Sequence, residues 1–228
     1  MKKALILLFI LVFPSAVYVF LAAGKEKSFI RLPYFGPKKV LHLTIDGKQK
    51  TDTAFYRVPA FSFYDQYNRS YSSGIFNNKI WVAYFVNIRD KEKAPAMAVL
   101  MNRIEERSDL DTALRMVTFT TDSESAQSMH DYATTIHAGT RRMFFSGNAK
   151  ELNELAAEGF YQPTNTPYTA GYNSFFLIDK EGHIRGIYNG MQVKDIDRLI
   201  EEIGMMEAEY YVKNQVKEQK EGKDIDAI

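Results

Sequence analysis

The stretch IWVAYFVNI, residues 80 to 88, limits most strongly what this chain can fold into. It is an unbroken run of β-branched, aromatic and small apolar residues up to Asn87. A strand with one wet face alternates polar and apolar residues. A run without that alternation suits a strand buried on both faces, as in a parallel sheet covered by helices. A second such run, LRMVTFTT, occupies residues 114 to 121. Between the two lies APAMAVLMNRIEER, residues 94 to 107, with Met97, Leu100, Met101 and Ile104 at helical spacing. Pro95 suits its first turn. The reading is strand, helix, strand.

The rest of the chain extends this pattern. Asp122 or Ser123 can cap a helix whose stripe is Ala126, Met129, Tyr132, Ala133 and Ile136. Apolar MFF (143 to 145) and a short helix, AKELNELAAEGF (149 to 160), follow. SFFLIDKEGHIRGIYNG (174 to 190) predicts a β-hairpin around Asp179-Lys180-Glu181-Gly182. VKDIDRLIEEIGMM (193 to 206) predicts an amphipathic helix, and the charged text after it reads as a tail fraying into solvent. Upstream, VLHLTID (40 to 46) is a short strand and RVPAFSFYDQYNRSYSS (57 to 73) gives extended pieces broken by turns. The order β-α-β-α-(α)-β-β-α predicts an α/β, thioredoxin-like fold, a central mixed sheet with helices on both faces.

The N-terminus adds a different signal. Residues 4 to 23, ALILLFILVFPSAVYVFLAA, carry no charge and follow Lys2 and Lys3. Twenty helical residues span roughly 30 Å, the thickness of a bilayer core. The expectation is an N-terminal transmembrane helix that places the remaining domain outside the cytoplasm. A cleaved signal peptide is the alternative, with Leu21-Ala22-Ala23-Gly24 as a weak cleavage site. The expected organisation is an anchor at 1–24, a linker and extension at 25–57 punctuated by Pro33, Gly36 and Pro37, a domain at 58–206 and a charged tail at 207–228.

Composition excludes several functions. The formal net charge is +1, which gives no field for nucleic acid or another polyanion. The 14 tyrosines and 16 phenylalanines suit a β-containing core. There is no cysteine. That rules out disulfides, thiol catalysis, thiolate metal sites and a lipidated N-terminal cysteine, and leaves the compartment open.

VPAFSFYDQ (58 to 66), NKIWVAYFVNI (78 to 88), APAM (94 to 97), VTFTTDSES (117 to 125) and SFFLIDKEGHIRGIYNG (174 to 190) together resemble the Sco/SenC family. The likeness covers about residues 32 to 205; peroxiredoxins and thioredoxin-like thiol reductases are the near alternatives. The resemblance implies a periplasm-facing thioredoxin-like domain that delivers copper, or reduces thiols, during assembly of cytochrome c oxidase. In that family two cysteines at the start of the first helix and a distant histidine hold the metal. Soft sulfur suits Cu(I), and a helix N-terminus favours thiolate. The resemblance puts Asp90 and Ala94 at the cysteine positions and Gly171 or Asn173 at the histidine position. None of these is Cys or His. Asp90 offers hard oxygen, and Ala94 offers no ligand.

Other residues invite weaker readings. His42 and His183 read as surface residues. His130 and His137 lie seven apart on one helix, a poor spacing for a metal pair. Met97 with Met101, and Met205 with Met206, read as core packing. Asp90, Glu92 and Asp122 are candidates for a carboxylate cluster, although RDKEK (89 to 93) reads more simply as a solvated loop. A thiol redox enzyme is excluded, because nothing here supplies a nucleophilic thiolate. The sequence predicts a non-catalytic, membrane-anchored module without a copper cofactor that binds a periplasmic protein partner. The alternative is a metal-binding protein with altered ligands drawn from Asp90, Met97 or a histidine.

Overall fold

A computed structural model describes residue 13 and residues 31–45, 48–107, 114–161 and 173–225. The apolar run expected to cross a membrane lies, Phe13 apart, outside them. Among the described residues no helix is long and apolar enough to do so.

Among the described residues, nine strands form two sheets. β1 (Lys39–Ile45) and β2 (Lys48–Ala54) make an antiparallel two-stranded sheet of their own. The other seven are β3 (Ser62–Asp65), β4 (Ser70–Ser72), β5 (Trp81–Val86), β6 (Arg115–Thr120), β7 (Arg142–Ser146), β8 (Ser174–Ile178) and β9 (Ile184–Asn189). They lie in the order β4-β3-β7-β6-β5-β8-β9. β5, β6 and β7 run parallel, while β3 and β8 join them antiparallel. The helices are α1 (Lys93–Arg107), α2 (Ala126–Thr135), α3 (Ala149–Glu154), which passes into a π-turn at Leu155–Gly159, and α4 (Val193–Ile225). This is the expected mixed α/β sheet with helices.

β5 explains why the sheet needs cover on both sides. All six of its residues are buried, and they alternate between two cores. Val82, Tyr84 and Val86 join Met97, Met101 and Ile104 of α1 and Ile196, Leu199 and Ile203 of α4. Trp81, Ala83 and Phe85 face the other way, among Phe61, Phe63, Phe76, Phe119, Phe145 and Phe160. Rings in this second core meet at centroid separations such as 4.8 Å for Phe76 on Trp81 and 5.0 Å for Phe85 on Phe119. These stacked and edge-on pairings stabilise beyond area burial alone.

Four details depart from the sequence reading. First, MFF lies within a full strand, β7, between β6 and β3. Second, the strand expected at 40–46 is β1, and it has an antiparallel partner, β2, within the segment read as linker and extension; the chain on either side packs on the domain. Phe35 N–H donates to the Ile184 carbonyl and Val58 N–H to the Gly182 carbonyl, both at 2.9 Å. Third, His183 is buried rather than a surface residue. Its Nδ1 lies 2.7 Å from the Tyr56 carbonyl oxygen, and the rings of Tyr34 and Phe55 meet it edge-on.

Fourth, the terminal helix continues through the expected boundary at residue 206 and reaches Ile225. The reason is Arg185, whose side chain is fully buried on β9. Its Nη1 meets Asp179 Oδ2 at 3.1 Å and its Nη2 meets Glu209 Oε2 at 3.1 Å. Nη2 also donates to the Leu32 carbonyl at 2.7 Å. Burial acts to lower the Arg185 pKa, but Glu209, Tyr34 and Asp179 raise it above its ordinary value. Burial also acts to raise the Glu209 pKa; Lys213 and Arg185 together hold it below the ordinary range. Glu209 therefore stabilises the fold above its unfolded pKa, and that contribution fades as pH falls through the folded value. Removing one partner from a buried ion pair costs about 3 kcal/mol. Glu209→Ala, or deletion of residues 207–228, is therefore expected to lower the melting temperature by about 10 °C. A circular dichroism melt checks this; an unchanged midpoint returns the segment to the status of a loose tail.

Candidate functional site

The candidate site is built where β5 ends and α1 begins. Asp90 stands at that junction and caps the helix. Its Oδ1 accepts from Glu92 N–H at 3.0 Å and Lys93 N–H at 2.9 Å, and its carbonyl accepts from Ala94 N–H at 3.1 Å. The side-chain bonds satisfy donors that a helix start otherwise leaves open. The Lys93 N–H, helped by that of Glu92, holds the Asp90 carboxyl below its usual range.

Ala94 is buried. Its methyl brings no donor, and its carbonyl accepts from the Tyr132 hydroxyl of α2 at 3.1 Å. Burial, then the neighbouring Tyr84, raises the Tyr132 pKa far above the usual phenol value, so this hydroxyl stays a donor. One turn along α1, Met97 packs under the strand end at Gly190. A Cβ on Gly190 would lie 2.7 Å from Met97 Sδ and 2.8 Å from the Asn173 carbonyl oxygen. Any side chain there would drive Asn173 and α1 apart. Asn173 thus stands beside the first turns of α1, and its Oδ1 is buried with no hydrogen-bond partner among the described residues. Asp90 and Ala94 therefore share the helix start, and the Asn173 carbonyl lies near Met97, one turn along. Gly171 lies outside the described residues.

The other candidates scatter. Met97, Met101 and Met206 are buried in the core, while Met205 is exposed. His42 is exposed on β1. His130 is half-buried on α2, its ring 5.5 Å from that of Tyr67. His137 is not on the helix: α2 ends at Thr135, and His137 follows in a left-handed conformation with φ of 52°. Glu92 is exposed, and the backbone carbonyl of Asp122 accepts from the Thr120 hydroxyl at 2.8 Å. Among the described residues no three of His, Asp and Glu come together as metal ligands.

An apolar groove of about 500 Å³ opens beside the helix start. Ile88, Ala94, Ala98, Val99, Tyr132 and Ile136 line it, with Asp90, Lys91 and His137 among its other wall residues. The sequence reading missed this groove and Tyr132. Tyr132 was legible as part of the α2 stripe, but not that its hydroxyl would reach the Ala94 carbonyl.

A family model described as SCO1/SenC matches residues 49–208. The chain belongs to the SCO1/SenC family. A SCO1 protein homolog of Bacillus subtilis (strain 168) is 22% identical over 166 residues, covering 69% of this chain and 86% of that protein. A SCO1/SenC family lipoprotein from Bacillus anthracis str. Ames superposes with a TM-score of 0.61 at 17% identity, covering 66% of this chain and 95% of the other. BsSco, described as a member of the Sco family of cytochrome c oxidase assembly proteins, gives a TM-score of 0.59 at 20% identity, over 66% and 93% of the two chains. At these identities the superpositions establish the fold, and the family model establishes the membership.

Copper is the ligand this family implies, and the donor set does not fit it. Cu(I) prefers sulfur. Here one position holds a hard carboxylate already bonded to two backbone N–H groups, one holds a methyl group and one holds an amide. Asp90→Ala is expected to remove about 1 kcal/mol of stability near neutral pH, the usual value of a lost cap. The folded pKa is depressed, so the difference from wild type should narrow as pH falls below about 4, where the unfolded carboxyl takes up its proton. Urea melts of both proteins at pH 7 and pH 3 check this; a pH-independent difference removes the capping charge from the account.

Proposed function

We propose that this protein is a non-catalytic SCO1/SenC module, anchored to a membrane by residues 4 to 23 with its domain outside the cytoplasm. It serves the assembly of cytochrome c oxidase by binding a protein partner rather than by carrying copper or exchanging thiols. The observation that carries this reading is the state of the α1 start: Asp90 is spent on capping, Ala94 contributes a buried methyl, and the chain has no cysteine. The family link to the oxidase is supported by BsSco, and extracytoplasmic anchoring by the lipoprotein relative together with the uncharged N-terminal run. The groove beside Ala94 supports binding as what the site still does, since concave apolar surface framed by a few polar groups is where ligands and partner side chains seat.

The test restores the chemistry. Cu(I) affinity is measured on the full chain against a competing chelator, beside the variant carrying Asp90→Cys, Ala94→Cys and Asn173→His. The wild type is expected not to compete and the variant to bind. Tight binding by the wild type overturns the reading, and Met97, His130 and His137 then become the residues to replace first. Failure of a folded variant to bind shows that the three positions are not equivalent to the family's ligands.

A further inference from the structure

A second hollow, away from the α1 start, lies between the β3–β4 turn, α2 and the beginning of β7, with a volume of about 410 Å³. Its floor is Arg142, 2% exposed. One end of that guanidinium is engaged, Nη2 donating to Asn102 Oδ1 at 2.8 Å and Glu105 Oε2 at 3.0 Å. Its Nε and Nη1 are buried and have no hydrogen-bond partner among the described residues. Buried donors left open are rare enough in folded proteins to need an explanation.

The side-chain oxygens of Asp65 and Gln66 on the wall of the hollow are committed elsewhere. Asp65 is the one carboxylate among the described lining residues. Its Oδ1 already accepts from Tyr67 N–H at 2.9 Å and Arg69 N–H at 2.8 Å, and its Oδ2 from Arg69 Nε at 2.8 Å. Gln66 Oε1 accepts from Phe144 N–H at 3.1 Å. On the donor side stand Arg142, Arg69 and His130, from three different elements. The Tyr67 ring lies 5.5 Å from that of His130 and 4.9 Å from the Arg69 guanidinium, which holds the three together. Glu105 already meets the Arg142 charge and Asp65 the Arg69 charge, so what a ligand here must bring is acceptors for the donors left open.

We propose that this hollow binds a small oxyanion, a carboxylate or a phosphate, against Arg142 with His130 and Arg69 at its sides. A guanidinium fork matches either group, and charge-assisted bonds of this kind are the strong ones.

Acetate and inorganic phosphate are titrated separately into the full chain by calorimetry, with chloride as the control. A saturable heat is expected with a dissociation constant in or below the millimolar range. A response to acetate alone makes the ligand a carboxylate, and a response to phosphate alone makes it a phosphate. His130→Ala should weaken binding about tenfold, the equivalent of one hydrogen bond, and Arg142→Lys should weaken it further. Both variants should melt close to wild type. If Arg142→Lys does not fold, Arg69→Gln takes its place beside His130→Ala. No saturable heat with either anion overturns the proposal, as does binding that neither folded variant weakens.

Discussion

A single buried cation organises the periphery of this fold. Arg185 sits on β9 with its side chain out of water, and an isolated charge there would be expensive to bury. Its partners come from three places that are distant in sequence: the Leu32 carbonyl ahead of the sheet, Asp179 at the hairpin turn and Glu209 on the terminal helix. Each is needed for the others to be tolerable. The entry of the chain, the closing hairpin and the last helix are thereby joined at one point. The guanidinium also lies over the Tyr34 ring, 4.1 Å from its centroid, which holds the entry segment in place.

The α1 start keeps its architecture through ordinary local contacts. The fold still needs a capped helix, a close approach at Gly190 and a donor for the Ala94 carbonyl. Asp90, Met97 and Tyr132 satisfy those needs without metal. The helix start therefore closes its own hydrogen bonds.

Much of this was legible in the sequence. The buried strands β5 and β6, the stripe of α1 and the hairpin at Asp179 follow from periodicity and turn chemistry, because local pattern and tertiary role agree there. β2 was not legible: KQKTDTA has no apolar alternation, and only the Asp46-Gly47 pair between two extended segments hinted at a hairpin. The length of α4 was hidden for a related reason. Its later residues are charged, and charge reads as solvent unless the partner is known; Glu209 is held by an arginine 24 positions earlier. His183 was misread because the groups that bury it come from the segment taken as linker. Of the candidate site, the cap at Asp90 lay in a stretch that read as a solvated loop. The groove and the orphaned donors of Arg142 depend on contacts between α1, α2 and β7, which no local pattern encodes.

The two-sided burial of β5 has a consequence for how this chain can vary. Its odd residues fill an aromatic chamber and its even residues, Tyr84 among them, a mainly aliphatic one. One residue inserted or removed within 81–86 would exchange the two sets, sending Trp81 and Phe85 toward the helices and the smaller valines among the rings. The strand therefore admits replacements only of matching size and tolerates no change of length. The turn at its end faces no such double constraint and needs only a cap. Side chains on that turn can therefore change in character while the strand that presents them stays unchanged.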